Sequence, residues 1–391
     1  MKDFLLTHIP WIFSGIGIVA IPFIFSICKN LINKKHKNSK TDNNINICLN
    51  RKDKINDSWK RILHIASESI IIFGGDISWI KRDKAEIKKL TNKISPVKIK
   101  VLCRRPEHKN IETLANLKYN LKQLILSGAK TKFYVDQRYK ETKIRGIISD
   151  SELEYGEGLI ITKIPKNNID RGTGSPGSEK NYDYLATHLI PTKDHNIINV
   201  YYELFHRIWE TALIGIVLDE LEYSPVDYHK WLVKIPEYKD LSANDISLRT
   251  VQINNLFSLC HIVKTYKFPF TLSLINAYQT QKVNIFNPCE VVSSNKPEKT
   301  VLLPPILEAH DDKLVIIDGM HRLYYSYFYE KISQVNCLVI KIKKPLPSEI
   351  LPFDRVCVRT EKASNRKYCF TSFDPDLFRQ VDILDSKLGS M

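Results

Sequence analysis

The stretch Leu314–Tyr329 reads LVIIDGMHRLYYSYFY. Four apolar residues, Leu314–Ile317, end at Asp318-Gly319; His321 and Arg322 follow, and then an aromatic segment with helical spacing. The pattern predicts a strand, a tight glycine turn and a helix whose first turn carries a histidine and an arginine. A helix N-terminus presents unpaired N–H groups and a positive dipole end, which suits an anion. Gly319 lets the backbone approach closely, with the Met320 and His321 amides aimed at the ligand. Arg322 offers a forked donor for phosphate, and His321 a hydrogen bond or a proton near neutral pH. Asp318 either caps the helix or helps to hold Mg²⁺ beside phosphates. Tyr324, Tyr325, Tyr327, Phe328 and Tyr329 recur at helical spacing and are read as core, with base stacking the alternative. Spacing alone equally allows a plain strand–turn–helix with a surface arginine and a packed histidine.

Working outward, PPILEAH at 304–310 precedes the KLVIIDG strand, and QVNCLVIKI at 334–342 follows the helix and ends at Lys343-Lys344-Pro345. In order and spacing these elements resemble the ParB/sulfiredoxin-like superfamily. Its members share a proline strand, a strand ending in Asp-Gly-x-His-Arg, a helix and a returning strand. The resemblance extends over about 226–345 and implies an α+β domain. It also implies that Asp318, Gly319, Met320, His321 and Arg322 hold the phosphates of a nucleotide, ATP or CTP with Mg²⁺. Turnover in that superfamily needs an acidic residue from the N-terminal segment. Glu237 and Asp240, after a strand expected at Trp231–Ile235, are the candidates to join His321 as a catalytic set, with Glu308 in the proline strand a further one. Met320 stands inside the turn where the sulfiredoxin cysteine belongs, which excludes that activity.

Upstream, strand and helix patterns alternate. Helices are expected at Ser58–Ser69, 83–93 and Ile111–Ser127, and strands at Ser69–Gly75, Val97–Cys103, Thr131–Val135, Ile144–Ser149 and Leu159–Ile164. Loops are expected over Lys166–Lys180 and, further on, over 291–299, and a long helix over Ile197–Leu221, with a boundary at Ser224-Pro225. This layout resembles one half of the phospholipase D-like superfamily, over residues 56–222. KIRGIISD at 143–150 lies where that family carries His-x-Lys-x-x-x-x-Asp. Lys143 stands for the histidine, Arg145 for the lysine and Asp150 for the aspartate. The resemblance implies a phosphodiesterase ancestry, but a cationic lysine is no substitute for the imidazole nucleophile. What is left is an expected anion-binding trio, Lys143, Arg145 and Asp150.

Phe4–Cys28 is an almost unbroken apolar run, long enough to cross a bilayer. Lys29, Lys34, Lys35, Lys37 and Lys40 follow it, so the positive-inside rule puts the rest of the chain in the cytoplasm. The expected organisation is an anchor at 1–29, a basic linker at 30–55, domains at 56–222 and 226–345, and an extension at 346–391 in which no chemistry is visible. Eight cysteines without CxxC or Cys/His spacing speak against a disulfide framework and a zinc site. A net charge of +15 over 391 residues favours acidic partners.

The leading expectation is a single-pass protein of a bacterial inner membrane that binds a nucleotide, with ATPase or phosphotransferase activity as the form any turnover would take and stress or defence signalling as an analogy. The alternatives are a DNA-binding or nuclease-like module and a non-catalytic sensor or scaffold.

Overall fold

The computed structural model describes residues 47–49, 52–75, 77–92, 96–106, 110–134, 144–150, 156–165, 182–360, 369–381 and 384. The apolar run 4–28 and Lys143 lie outside them. Among the described residues no helix is long and apolar enough to cross a membrane.

The first elements are β1 (Ile47–Leu49), α1 (Lys52–Ile65), β2 (Ser69–Gly75), α2 (Ile80–Thr91), β3 (Lys98–Arg104), α3 (Ile111–Leu126), β4 (Lys130–Tyr134), β5 (Arg145–Ser149), β6 (Gly158–Pro165), β7 (Tyr182–Leu189), α4 (Pro191–Thr211), β8 (Leu213–Ile214) and β9 (Ile216–Glu220). Eight of the strands form one mixed sheet in the order β1-β7-β6-β5-β2-β3-β4-β8. Its centre is the run Ile70-Ile71-Ile72-Phe73, buried on both faces as a central strand requires. Alternation divides it: Ile70 and Ile72 pack with Trp59, Ile62 and Leu63 of α1, while Ile71 and Phe73 pack with Phe205, Ile208 and Trp209 of α4. β1 pairs with β7 and α1 begins at Lys52, so the fold takes up the end of what composition suggested was a linker.

The remaining elements are α5 (Pro225–Leu232), β10 (Ile246–Gln252), β11 (Phe257–Ser258), β12 (Ile262–Lys264), α6 (Phe268–Thr280), β13 (Cys289–Ser293), β14 (Lys296–Leu302), β15 (Ile306–His310), β16 (Lys313–Asp318), α7 (Met320–Phe328), β17 (Gln334–Lys341), β18 (Leu351–Pro352) and β19 (Cys357–Arg359). A six-stranded sheet runs β10-β17-β15-β16-β11-β18. One face meets α6 and α7 through Leu307, Ile316, Leu323 and Tyr324; the other meets α5 through Ile306, Ile317, Leu338 and Leu232.

Three expectations are corrected. Trp231–Ile235 is not a strand, because Ser224 starts a helix there. Its hydroxyl accepts the Asp227 N–H, the Asp227 carboxylate accepts the Ser224 N–H, and Pro225 fills the first helical position. The long helix expected to Leu221 stops at Thr211, and β8 and β9 follow. Gly215 lies so close to strand β4 that a Cβ there would meet the Thr131 carbonyl oxygen at 2.9 Å. The segment 291–299 is no loop but most of the β13–β14 hairpin.

β9 pairs with β13 in a three-stranded sheet, β14-β13-β9, lying between the two larger sheets. Buried Gln281 ties α6 to it, accepting from the Leu218 N–H at 3.0 Å and donating to the Ile216 carbonyl at 2.8 Å. Residues 46–391 cluster as one compact unit.

Candidate functional site

The strand, turn and helix expected at 314–329 are present. Gly319 has φ +88°, in the left-handed region, and a Cβ there would meet Pro305 Cβ at 2.7 Å. Both facts demand glycine at this position. No side chain caps α7, so its first-turn N–H groups are left for solvent or a ligand. The helix aromatics are mostly core: Tyr324 packs against Phe268, Phe328 and Phe353, whereas Tyr329 stacks on Tyr325 at 4.8 Å and is exposed.

The motif's charged residues turn toward each other. Arg322 donates through Nη1 to the Leu303 carbonyl at 2.7 Å and through Nη2 to Asp318 Oδ2 at 2.9 Å, and it lies over the Phe286 ring. No side chain takes the cap expected of Asp318, and Arg322, expected to hold phosphate, is engaged by Asp318 and the Leu303 carbonyl. Together they brace the turn against the strand entering from Leu303. The cations beside the helix come instead from outside the motif, where sequence reasoning had no signal for them. The Lys264 N–H donates to His321 Nε2 at 3.2 Å, so the neutral ring carries its proton on Nδ1. Burial first, and then the charges of Lys267 and Lys264, push the His321 imidazole down to about 4. His321 is neutral at pH 7 and offers one N–H donor.

The carboxylates expected to assist turnover lie elsewhere. Ile306 and Leu307 pack on opposite faces of the sheet, and alternation puts Glu308 on the Ile306 face, away from α7. There it is fully buried. Arg379 donates to both its oxygens at 2.7 and 3.0 Å, Tyr238 Oη donates to Oε1 at 2.6 Å, and His310 Nε2 lies 2.8 Å from Oε2. Burial alone would raise the Glu308 carboxyl; the bonds from His310, Arg379 and Tyr238 outweigh it and hold the group below its ordinary value. Arg379 comes from the C-terminal extension, in which no chemistry was legible. Glu237 accepts the Gln380 N–H at 3.1 Å, and Asp240 is exposed. Among the described residues no hydrogen bond joins Glu237 or Asp240 to the turn. No group of three His, Cys, Asp or Glu side chains among them could hold a metal ion.

Arg145 and Asp150 do not form one site. They stand at opposite ends of β5, about 17 Å apart at the usual rise per residue. Asp150, at φ +44°, is buried and accepts from Ser67 N, Ser67 Oγ, Glu68 N and Ser69 N at 2.8–3.2 Å, which fixes the turn entering β2. Arg145 lies beside Gly75 where β2 ends.

No protein-family model matches the chain, and no curated protein matches it. Among solved structures, the archaeal chromatin protein TrmBL2, described as showing a novel mode of DNA binding, is 16% identical over 53% of this chain and 69% of its own, with a TM-score of 0.28. That score is too low to transfer fold or chemistry.

Proposed function

We propose that the turn at Asp318–Arg322 binds a nucleotide, ATP or CTP, by its phosphates, and that binding rather than turnover is its function. The observation that carries this reading is the uncapped start of α7 beside a neutral His321 and the cations Lys264 and Lys267. Backbone N–H groups and the helix dipole take the phosphate, His321 Nδ1–H adds a neutral donor, and the lysines supply the charge. Arg322 acts as a positioning residue, with Asp318 and the Leu303 carbonyl as its partners. Mg²⁺ would arrive with the nucleotide, bound mainly by phosphate oxygens and water.

Calorimetry on the full chain with ATP and CTP, with and without Mg²⁺, tests the proposal. Lys267→Ala is expected to weaken binding about fivefold, roughly 1 kcal/mol, and His321→Phe similarly. No heat with either nucleotide, or unchanged affinity in both variants, overturns it. For the chain as a whole we infer a single-pass anchor at Phe4–Cys28 in a bacterial inner membrane with the remainder cytoplasmic, supported by the apolar run and the lysines after it. Release of the protein from membranes by alkaline carbonate would overturn that part.

A further inference from the structure

Strands β3 and β4 run parallel, with Lys100 directly opposite Lys130, Leu102 opposite Lys132 and Arg104 opposite Tyr134. Alternation puts Lys98, Lys100, Arg104, Lys130 and Lys132 on the face that carries Leu102. Ile99, Val101 and Phe133 point the other way, into the first core. α4 packs on the lysine-bearing face through Leu102 and Tyr134, leaving Lys98, Arg104 and Lys130 exposed and Lys100 half-buried. From Lys98 to Arg104 the row spans about 20 Å at the usual rise per residue. Like charges directly opposite each other on neighbouring strands are destabilising, as at Lys100 and Lys130. Among the described residues Lys98, Lys100, Arg104 and Lys130 make no ion pair. The joint between the sheets is the contrast, because there Lys118, Lys122 and Lys299 each meet Asp219 or Glu290 at 2.6–3.4 Å. Lys132 is the engaged member of the row. Its Nζ donates to the Trp209 carbonyl at 2.8 Å and lies 5.1 Å from the Trp209 ring, with Lys100 Nζ 5.9 Å from the same ring. Burial, with Lys100 beside it, holds the Lys132 ammonium below its ordinary value in spite of Glu210. The Trp209 ring is 8% exposed and Tyr134 packs into the same core, so the face offers charge without a platform for stacking bases. A sheet that keeps so many cations together presents a field suited to a polyanion.

We propose that this face lies on an anionic lipid surface, with Lys98, Lys100, Arg104 and Lys130 at the headgroups. The choice of a bilayer over other polyanions rests on the anchor read at Phe4–Cys28. Residues 29–46 reach at most about 65 Å when fully extended, so the anchor keeps the sheet that begins at Ile47 within reach of a bilayer. Each basic residue at such a surface strengthens the association about fivefold, within a screening length of about 8–10 Å.

The full chain reconstituted in vesicles of phosphatidylcholine, alone or mixed with phosphatidylserine, tests it. Lysines are labelled with a membrane-impermeant amine-reactive ester and read one by one by mass spectrometry. Labelling of Lys98 and Lys130 is expected to fall at least about threefold in the anionic vesicles. Lys230, 68% exposed on α5, should label equally in both. The protection should vanish as salt approaches 1 M, where the screening length is about 3 Å. Lys100→Gln combined with Lys130→Gln should weaken the association roughly 25-fold and leave Lys98 labelled as in neutral vesicles. Equal labelling of Lys98 and Lys130 in the two vesicles, unchanged protection of Lys98 in the double variant, or equal protection of Lys230 overturns the proposal. So does duplex DNA, added to the chain in neutral vesicles, if it protects the same two lysines as strongly as phosphatidylserine does. Alkaline carbonate reads the anchor separately: a chain that carbonate releases but that phosphatidylserine protects at Lys98 and Lys130 fails the anchor reading and not this one.

Discussion

At the end of β5 the Asp150 carboxylate is buried among three backbone N–H groups and a hydroxyl, whereas in β15 the Glu308 carboxylate is buried against the Arg379 guanidinium. Neutral amides can hold a negative charge without a counter-cation, so the first sheet keeps Asp150 without enlisting Arg145. The second sheet matches acid with base twice, Glu308 with Arg379 and Asp318 with Arg322. The difference teaches caution about motif arginines: the one in DGMHR braces its own turn, and lysines outside the motif stand beside the helix N-terminus. It also sets the order in which substitutions should hurt.

The largest effect is expected at Arg379, which is 2% exposed against a Glu308 that is 0% exposed. Arg379→Ala leaves a buried carboxylate facing Tyr238 and His310 alone. The expected cost is about 3–5 kcal/mol in urea unfolding, partly recovered by Glu308→Gln in the same chain. A loss below about 1 kcal/mol would remove the contrast between the two sheets. Asp150→Ala comes next, at about 2–3 kcal/mol, because it removes the buried carboxylate that holds the Ser67, Glu68 and Ser69 amides of a partly buried turn. If Asp150→Ala unfolds at the wild-type urea concentration, water replaces the carboxylate there and the amides do not depend on it.

A third effect is a pH dependence within the second sheet and the helix packed on it. The His321 folded value of about 4 lies below its ordinary 6.5, so on acidification the unfolded chain takes up this proton first. The stability it contributes is therefore full above about pH 6.5 and is lost as pH drops toward 4. Between pH 7 and 5 the wild type should lose about 2 kcal/mol more than His321→Phe does. Glu308, held below its ordinary value, adds its own loss only at lower pH, below about 4.5. Equal losses in wild type and variant between pH 7 and 5 would mean that solvent reaches the imidazole despite Lys264 and Lys267.

Much of this was legible in the chain because it is local. Leu314–Ile317, Gly319 and the helix after it are a strand, a left-handed turn and a helix that need only neighbouring residues to be read, and the same holds for Ile70–Phe73. The helix at Pro225 was equally local, but its signal was Ser224 with Asp227 and not the apolar residues of WLVKI. β8 and the start of β9 were hidden because Ala212–Leu218 continues the helix's apolar residues without a charged break. What could not be read was whatever depends on distance along the chain. Glu308 and Arg379 are 71 residues apart, and the basic face gathers side chains from Lys98 to Trp209. Arg322 could be recognised as a donor, but not its partner Leu303, which the proline strand carries to it.

The smallest expected effect lies between the two large sheets, where the charges are neither buried like Glu308 nor held by amides like Asp150. Lys122 of α3 reaches Asp219 of β9 at 2.7 Å and Glu290 of β13 at 2.6 Å, and these partners are 43% and 26% exposed. Water screens such pairs, and ordering a long lysine side chain cancels part of the attraction. Lys122→Met is expected to cost about 1 kcal/mol at low ionic strength, and less as salt approaches 1 M, where the screening length falls to about 3 Å. Gln281 and the apolar contact of Val217 and Val292 with the first core also hold the joint, and neither responds to salt. A loss of 3 kcal/mol or more that persists at high salt would place Lys122 with Arg379 as a buried partner. The three-stranded sheet would then belong, in its treatment of charge, to the second sheet and not to the surface between the two.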